Sequence, residues 1–106
     1  MTRLIFTETY EKRAKKFIKK HPDLLDQYGK TLKLLSLDPN HPALRLHKLH
    51  GKLSLLSSVS INYAYRIVLI FLVNKDEITL IDIGRHDEVY GSVIPHSLSP
   101  SRFLQG

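Results

Sequence analysis

The chain has 106 residues, a length that fits one domain, and 42% of them are hydrophobic, enough for a single modest core. It has no cysteine, which excludes disulfides, thiol catalysis and thiolate metal sites, and no apolar run approaches the roughly 18 residues of a membrane span. The formal net charge of +6 favours a polyanionic partner, either nucleic acid or a protein with an acidic surface.

The first residues have too short an apolar run for a signal peptide and turn acidic at Glu8, so a cytoplasmic location is expected. Thr2 to Phe6 reads as a short strand, with β-favouring Ile5 and Phe6. Thr7 or Thr9 then caps a helix. In that helix Tyr10, Ala14, Phe17 and Ile18 follow the i, i+4, i+7, i+8 spacing of one apolar face. Lys12, Arg13, Lys15, Lys16, Lys19 and Lys20 lie mostly off that face. They form either a solvated surface or a basic stripe for RNA or the ribosome, and spacing alone does not choose. His21-Pro22 breaks the helix, because proline disfavours α conformation in the residue before it. Pro22 also suits the first turn of a second helix carrying Leu25, Tyr28, Leu32 and Leu35. That helix ends at Asp38-Pro39-Asn40-His41-Pro42, and the pair reads as an antiparallel hairpin with its apolar faces on a sheet.

Ala43 to Lys52 is a connection anchored by Leu44, Leu46 and Leu49. His47 and His50 are three apart, a spacing that suits one side of a helical turn. With no cysteine and no nearby carboxylate a zinc site lacks its remaining ligands, so no metal is expected. Two alternatives stand: exposed histidines, or histidines serving an anionic substrate. Leu55 to Ile61, Tyr65 to Val73 and Glu77 to Ile83 read as three strands joined by short polar joints, as in antiparallel hairpins. The unbroken apolar run from Ile67 to Leu72 suggests a central strand covered on both faces. Arg66 stands at its start, either in a structural ion pair or as a phosphate clamp. After the last strand, Gly84 permits a sharp turn. Arg85 and His86 then sit just past the strand end, where a rigid sheet holds reactive groups at the surface. Asp87 to Tyr90 reads as a helical turn. Residues 92–106, with Pro95, Pro100 and several serines, read as a partly flexible tail on a domain of residues 1–91.

Three segments carry a family resemblance: Leu49-His50-Gly51-Lys52-Leu53, Ser58-Val59-Ser60-Ile61 leading into Tyr65-Arg66-Ile67, and Ile83-Gly84-Arg85-His86-Asp87-Glu88-Val89-Tyr90. With the order strand, two helices, three strands, the chain resembles the RelE/ParE toxins of type II toxin–antitoxin systems. Its C-terminal piece is similar to the YafQ-type and YoeB-like mRNA interferases. The resemblance implies an α+β fold, two helices packed on a small, mainly antiparallel twisted sheet. It also implies a ribosome-dependent endoribonuclease cutting mRNA in the A site, paired with an antitoxin in a hetero-oligomer. By that likeness His86 acts at the scissile phosphate, Arg66 stabilises it, His47 or His50 is the second proton-transfer group, and Tyr90 stacks the substrate. Arg85, Lys48 and Lys52 are the further substrate-binding candidates. The chemistry is metal-independent and needs no cofactor: the RNA 2′-hydroxyl attacks the adjacent phosphate with a base, an acid and positive charge in attendance. Leu55, Ser57 and Ser60 depart from the family pattern, and Ser60 removes an expected basic residue. The competing expectations are a ParE-like gyrase poison without nuclease activity and a binding module that cuts nothing.

Overall fold

The computed structural model describes residues 1–49 and 55–85. The expected α+β architecture is present: two helices packed against one face of a five-stranded mixed sheet. The elements run β1 (Arg3–Phe6), α1 (Glu8–Lys20), a 3-10 turn at Pro22–Leu24, α2 (Leu25–Leu37), a second 3-10 turn at Pro42–Leu44, β2 (His47–Lys48), β3 (Ser57–Ser60), β4 (Tyr65–Leu72) and β5 (Glu77–Arg85). The sheet order is β1-β5-β4-β3-β2, with β1 parallel to β5 and the other neighbours antiparallel. The parallel pairing follows from the helical hairpin, which spans the crossover between β1 and the later strands.

Thr7 starts α1 and also ties it to the sheet. Its hydroxyl accepts from the Tyr10 N–H at 3.2 Å and donates to the Leu80 carbonyl at 2.9 Å. Glu8 and Glu11 in the first turn, with Lys19 and Lys20 in the last, complement the helix dipole. The apolar face of α1 buries Tyr10, Ala14 and Phe17 against a single core of Leu35, Leu44, Val59, Ile61, Ile67, Leu69, Ile78, Leu80 and Ile83. Burying side chains of that size contributes about 1.5–3 kcal/mol each before entropy is counted. The two helices are further joined by a 2.8 Å bond between the Tyr10 and Tyr28 hydroxyls. Burial first, then this bond and the nearby Asp82 carboxylate, pushes the Tyr10 hydroxyl far above the usual tyrosine range.

Three expectations are refined. The connection after Pro42 contains a two-residue strand, β2, so His47 is extended rather than in a helical turn. The central apolar run is buried on both faces only over Ile67, Val68 and Leu69; Leu72 is exposed at the strand end. Gly84 does not turn the chain: β5 continues through it to Arg85, and Gly84 pairs with Arg66. A bulge in β5 explains that pairing. Leu69 pairs with Leu80, whereas the preceding residue Val68 pairs with Asp82, so Ile81 is an extra residue bulged out of the ladder. Without it Arg66 would stand opposite Ile83, because a bulge moves every later partner by one. The helical turn at Asp87 to Tyr90 and the tail of residues 92–106 lie outside the described residues.

Candidate functional site

Side chains alternate across a strand, so Tyr65 and Arg66, adjacent at the start of β4, face opposite sides of the sheet. Tyr65 turns towards α1, where its ring lies 5.1 Å from that of Phe17 and 4.7 Å from that of His21. Arg66 turns to the face away from the helices and meets oxygen acceptors of Ser58, Ser60 and Arg45 there. Its Nε donates to the Ser58 hydroxyl at 2.9 Å, and Nη1 donates to the Ser60 hydroxyl at 2.8 Å. Nη2 donates to the Arg45 carbonyl at 3.0 Å and, at greater length, to the Ser58 carbonyl at 3.3 Å. These bonds engage Nε, Nη1 and Nη2 and hold the charge in one orientation.

Each part of this arrangement has a local cause. β3 alternates Ser58, Val59, Ser60, which sends Val59 into the core and both serines to the Arg66 side. Both serines are nearly buried, at 2% and 9% exposure, so their hydroxyls need partners and the guanidinium supplies donors. A serine that has accepted a bond keeps its own O–H to donate. The Arg45 carbonyl is presented by an unusual backbone: Arg45 ends the Pro42–Leu44 turn in the left-handed region, with φ 49° and ψ 50°. For a residue with a β-carbon this costs about 1–2 kcal/mol, and strain of this kind collects at functional sites. β2 adds His47, which pairs directly with Ser58 and so belongs to the same side as Arg66; Lys48 pairs with Ser57 and belongs to the other. Next to Ser60 and Arg45 lies a small hollow of about 190 Å³ that is also lined by Tyr63. Tyr63 is 95% exposed at the tip of the β3–β4 hairpin. The Asn62 side chain fixes that tip by accepting from the Ala64 and Tyr65 N–H groups, each at 2.9 Å.

Of the residues anticipated from sequence, Arg66 and His47 therefore share one face of the sheet. Arg85 does not join them. It pairs with Tyr65, lies on the α1 side, and lines a separate cleft. His50, Lys52, His86 and Tyr90 lie outside the described residues. Sequence reasoning missed Arg45 and Tyr63 and read Ser60 only as a lost charge. Tyr63 had a signal, an aromatic in a short hairpin joint that leaves it nowhere to bury. Arg45 had none, since no glycine or asparagine announces the left-handed turn. Among the described residues no group of three or more His, Cys, Asp or Glu side chains converges as metal ligands would. No helix among them is long and apolar enough to cross a membrane.

No protein-family model matches the sequence, and no curated protein matches it. Solved structures do. A copper-bound mutant toxin from Helicobacter pylori superposes with a TM-score of 0.68 at 24% identity, over 85% of this chain and 100% of that one. YafQ from E. coli superposes with a TM-score of 0.71 at 13% identity, over 86% and 100%. The YoeB–YefM toxin–antitoxin heterotetramer from Staphylococcus aureus contains a chain matching with a TM-score of 0.63 at 17% identity, over 81% and 98%. The fold of this chain is that of the RelE/ParE-type toxins.

Proposed function

We propose that the chain is the toxin of a type II toxin–antitoxin pair and a ribosome-dependent endoribonuclease that cuts mRNA in the A site by metal-independent acid/base chemistry. The observation that carries this reading is the guanidinium of Arg66, held by Ser58, Ser60 and the Arg45 carbonyl on the same sheet face as His47. Attack of a 2′-hydroxyl on the neighbouring phosphate builds negative charge on the phosphoryl oxygens. A cation already oriented before the substrate arrives lowers that barrier without reorganising. A phosphoryl oxygen is met by the Arg66 fork while the Nε and Nη1 bonds to the two serines keep the guanidinium in place. His47 is one proton-transfer group. His86, which follows Arg85 in sequence, is the other and the general acid for the leaving 5′-oxygen. His50, Lys52 and Tyr90 stay assigned to the same site as proton-transfer, charge and stacking groups. Tyr63 adds an exposed ring on which a base stacks, a contact worth about 1–3 kcal/mol.

The toxin role and an antitoxin partner are supported by the likeness to the YoeB–YefM toxin–antitoxin complex. Such a partner suits the groove of about 470 Å³ between α1 and α2, lined by Phe6, Tyr10, Ala14, Ile18 and Tyr28 and edged by Lys15 and Lys19, with Glu11 as its one lining carboxylate among the described residues. An amphipathic segment with acidic edges fits it, folding as it binds. The substrate and the ribosome imply a cytoplasmic site of action. Primer extension on cellular mRNA after induced expression tests the reading. In-frame cuts clustered within codons are expected from the wild type and absent from Arg66→Ala. Intact mRNA accompanied by gyrase-dependent DNA breaks would replace this reading with gyrase poisoning.

A further inference from the structure

The small hollow at the β3–β4 hairpin shares two residues with the Arg66 cluster. Ser60 and Arg45 line it together with Asn62 and Tyr63. The same Ser60 hydroxyl accepts from Arg66 Nη1 at 2.8 Å, and the Arg45 carbonyl accepts from Nη2 at 3.0 Å. A phosphate held by Arg66 thus has the base of an adjoining nucleotide within reach of the hollow. The orientation of the Asn62 amide follows from its partners. One atom of it accepts from both the Ala64 and the Tyr65 N–H, each at 2.9 Å, and only the oxygen can do that. The nitrogen, Nδ2, keeps two N–H donors, and they have no partner among the described residues. The Arg45 side chain is exposed, and among the described residues its guanidinium makes no ion pair or hydrogen bond. Two side chains of the hollow therefore carry unengaged donors, and the one amide acceptor is already taken by the hairpin.

We propose that this hollow is a base-reading subsite that prefers guanine to adenine, with Arg45 and Asn62 as its specificity-determining residues; the proposal rests on the reading of Arg66 as the group that holds an RNA phosphate. An asparagine reads adenine by donating to N7 while accepting from the N6 amino group. Asn62 cannot do both, because its oxygen is engaged by two backbone N–H groups. Adenine would leave its amino group without that acceptor. Guanine instead presents N7 and O6, two acceptors on one edge, and both suit the donors of Arg45 and Asn62. Tyr63 adds a ring on which a base stacks, and every base has a π-face, so this contact strengthens binding without choosing between bases. Choice of base is thus set by the direction of the hydrogen bonds at Asn62 and Arg45.

The test is fluorescence anisotropy of the full chain with two fluorescein-labelled 2′-O-methyl oligoadenylates, one of which carries a single central guanine. Both lack the attacking hydroxyl, so they report binding without cleavage. Both carry the same phosphates, so their ratio cancels the electrostatic part of the affinity. The wild type is expected to bind the guanine oligomer about tenfold more tightly, the scale of one well-formed bidentate contact. Asn62→Asp keeps an oxygen for the Ala64 and Tyr65 N–H groups and replaces the Nδ2 donors with an acceptor, so the fold should persist by circular dichroism while the guanine advantage is lost or reversed. Tyr63→Ala should weaken both oligomers alike and leave the ratio unchanged. Equal binding of the two oligomers by the wild type, or an unchanged ratio in Asn62→Asp, would overturn the subsite and leave the role of Arg66 standing. Unchanged binding of both oligomers by Arg66→Ala would instead overturn the phosphate reading, and the subsite's place beside it.

Discussion

Tyr65 and Arg66 are neighbours in sequence and share almost nothing in environment. On the α1 side, Tyr65 joins a stack of rings at the edge of the core, among cations that project from a helix. On the other side, Arg66 is gripped by oxygen acceptors from β3 and the Pro42–Arg45 turn. The first environment is built by apolar packing with charge at its rim. The second is a polar network in which each hydrogen bond orients the next group. Burial sets the energy of the first and hydrogen-bond geometry the orientation of the second, and one step along a pleated strand separates them. The bulge at Ile81 maintains that division, since it puts Gly84 rather than Ile83 opposite the guanidinium.

The two faces should respond differently to truncation. Ile67→Ala, in the core beside Tyr65, is expected to cost about 2–5 kcal/mol in denaturant unfolding, as large-to-small core changes do. Arg66→Ala should cost less, about 1–3 kcal/mol for two nearly buried hydroxyls that lose their donor. A loss at Arg66 equal to that at Ile67 would make the arginine chiefly structural and erase the contrast. Ser60→Ala sharpens the polar side further. It removes the bond at Nη1 and should cost about 1 kcal/mol of stability, while lowering cleavage more than a stability change of that size explains.

The smallest effect belongs to the helical layer. Burial, and for Tyr10 also the bond to Tyr28, raises the hydroxyl pKa of Tyr10; burial likewise raises that of Tyr28, opposed in part by the same bond. The folded chain therefore keeps protons that the unfolded chain releases near pH 10. The unfolded state then binds fewer protons, so stability is fully present below about pH 10 and falls as pH rises above it. Tyr28→Phe should cost about 1 kcal/mol at neutral pH through the lost Tyr10 bond and make the alkaline decline shallower. An unchanged decline would place its origin elsewhere.

Much of the fold was legible because periodicity and breakers agreed. The α1 face of Tyr10, Ala14 and Phe17, the interruption at His21-Pro22 and the apolar centre of β4 all carry local signals. The parallel edge strand β1 and the two-residue β2 carry almost none, since strands that short are fixed by their neighbours. The candidate site was legible only in part. Arg66 stood out through its position and the family resemblance, but its partners depend on register. Ser60 looked like a missing charge until pairing put its hydroxyl 2.8 Å from the Arg66 fork. Arg85 looked like a companion of Arg66 until the bulge, invisible in composition, set the two on opposite faces. The left-handed Arg45 follows from how the Pro42 turn must reach β2, which no residue type there announces.

The central claim is that Arg66 serves through a geometrically fixed guanidinium and not through charge alone. Single-turnover cleavage of mRNA on programmed ribosomes by wild type and Arg66→Lys tests it most directly. Lysine keeps the charge but cannot bridge the Ser58 and Ser60 hydroxyls while facing a phosphate. The account predicts a loss of about 10²–10³ in the cleavage rate, the scale of removing one oriented stabilising donor, with the fold retained by circular dichroism. Wild-type cleavage by Arg66→Lys would contradict it.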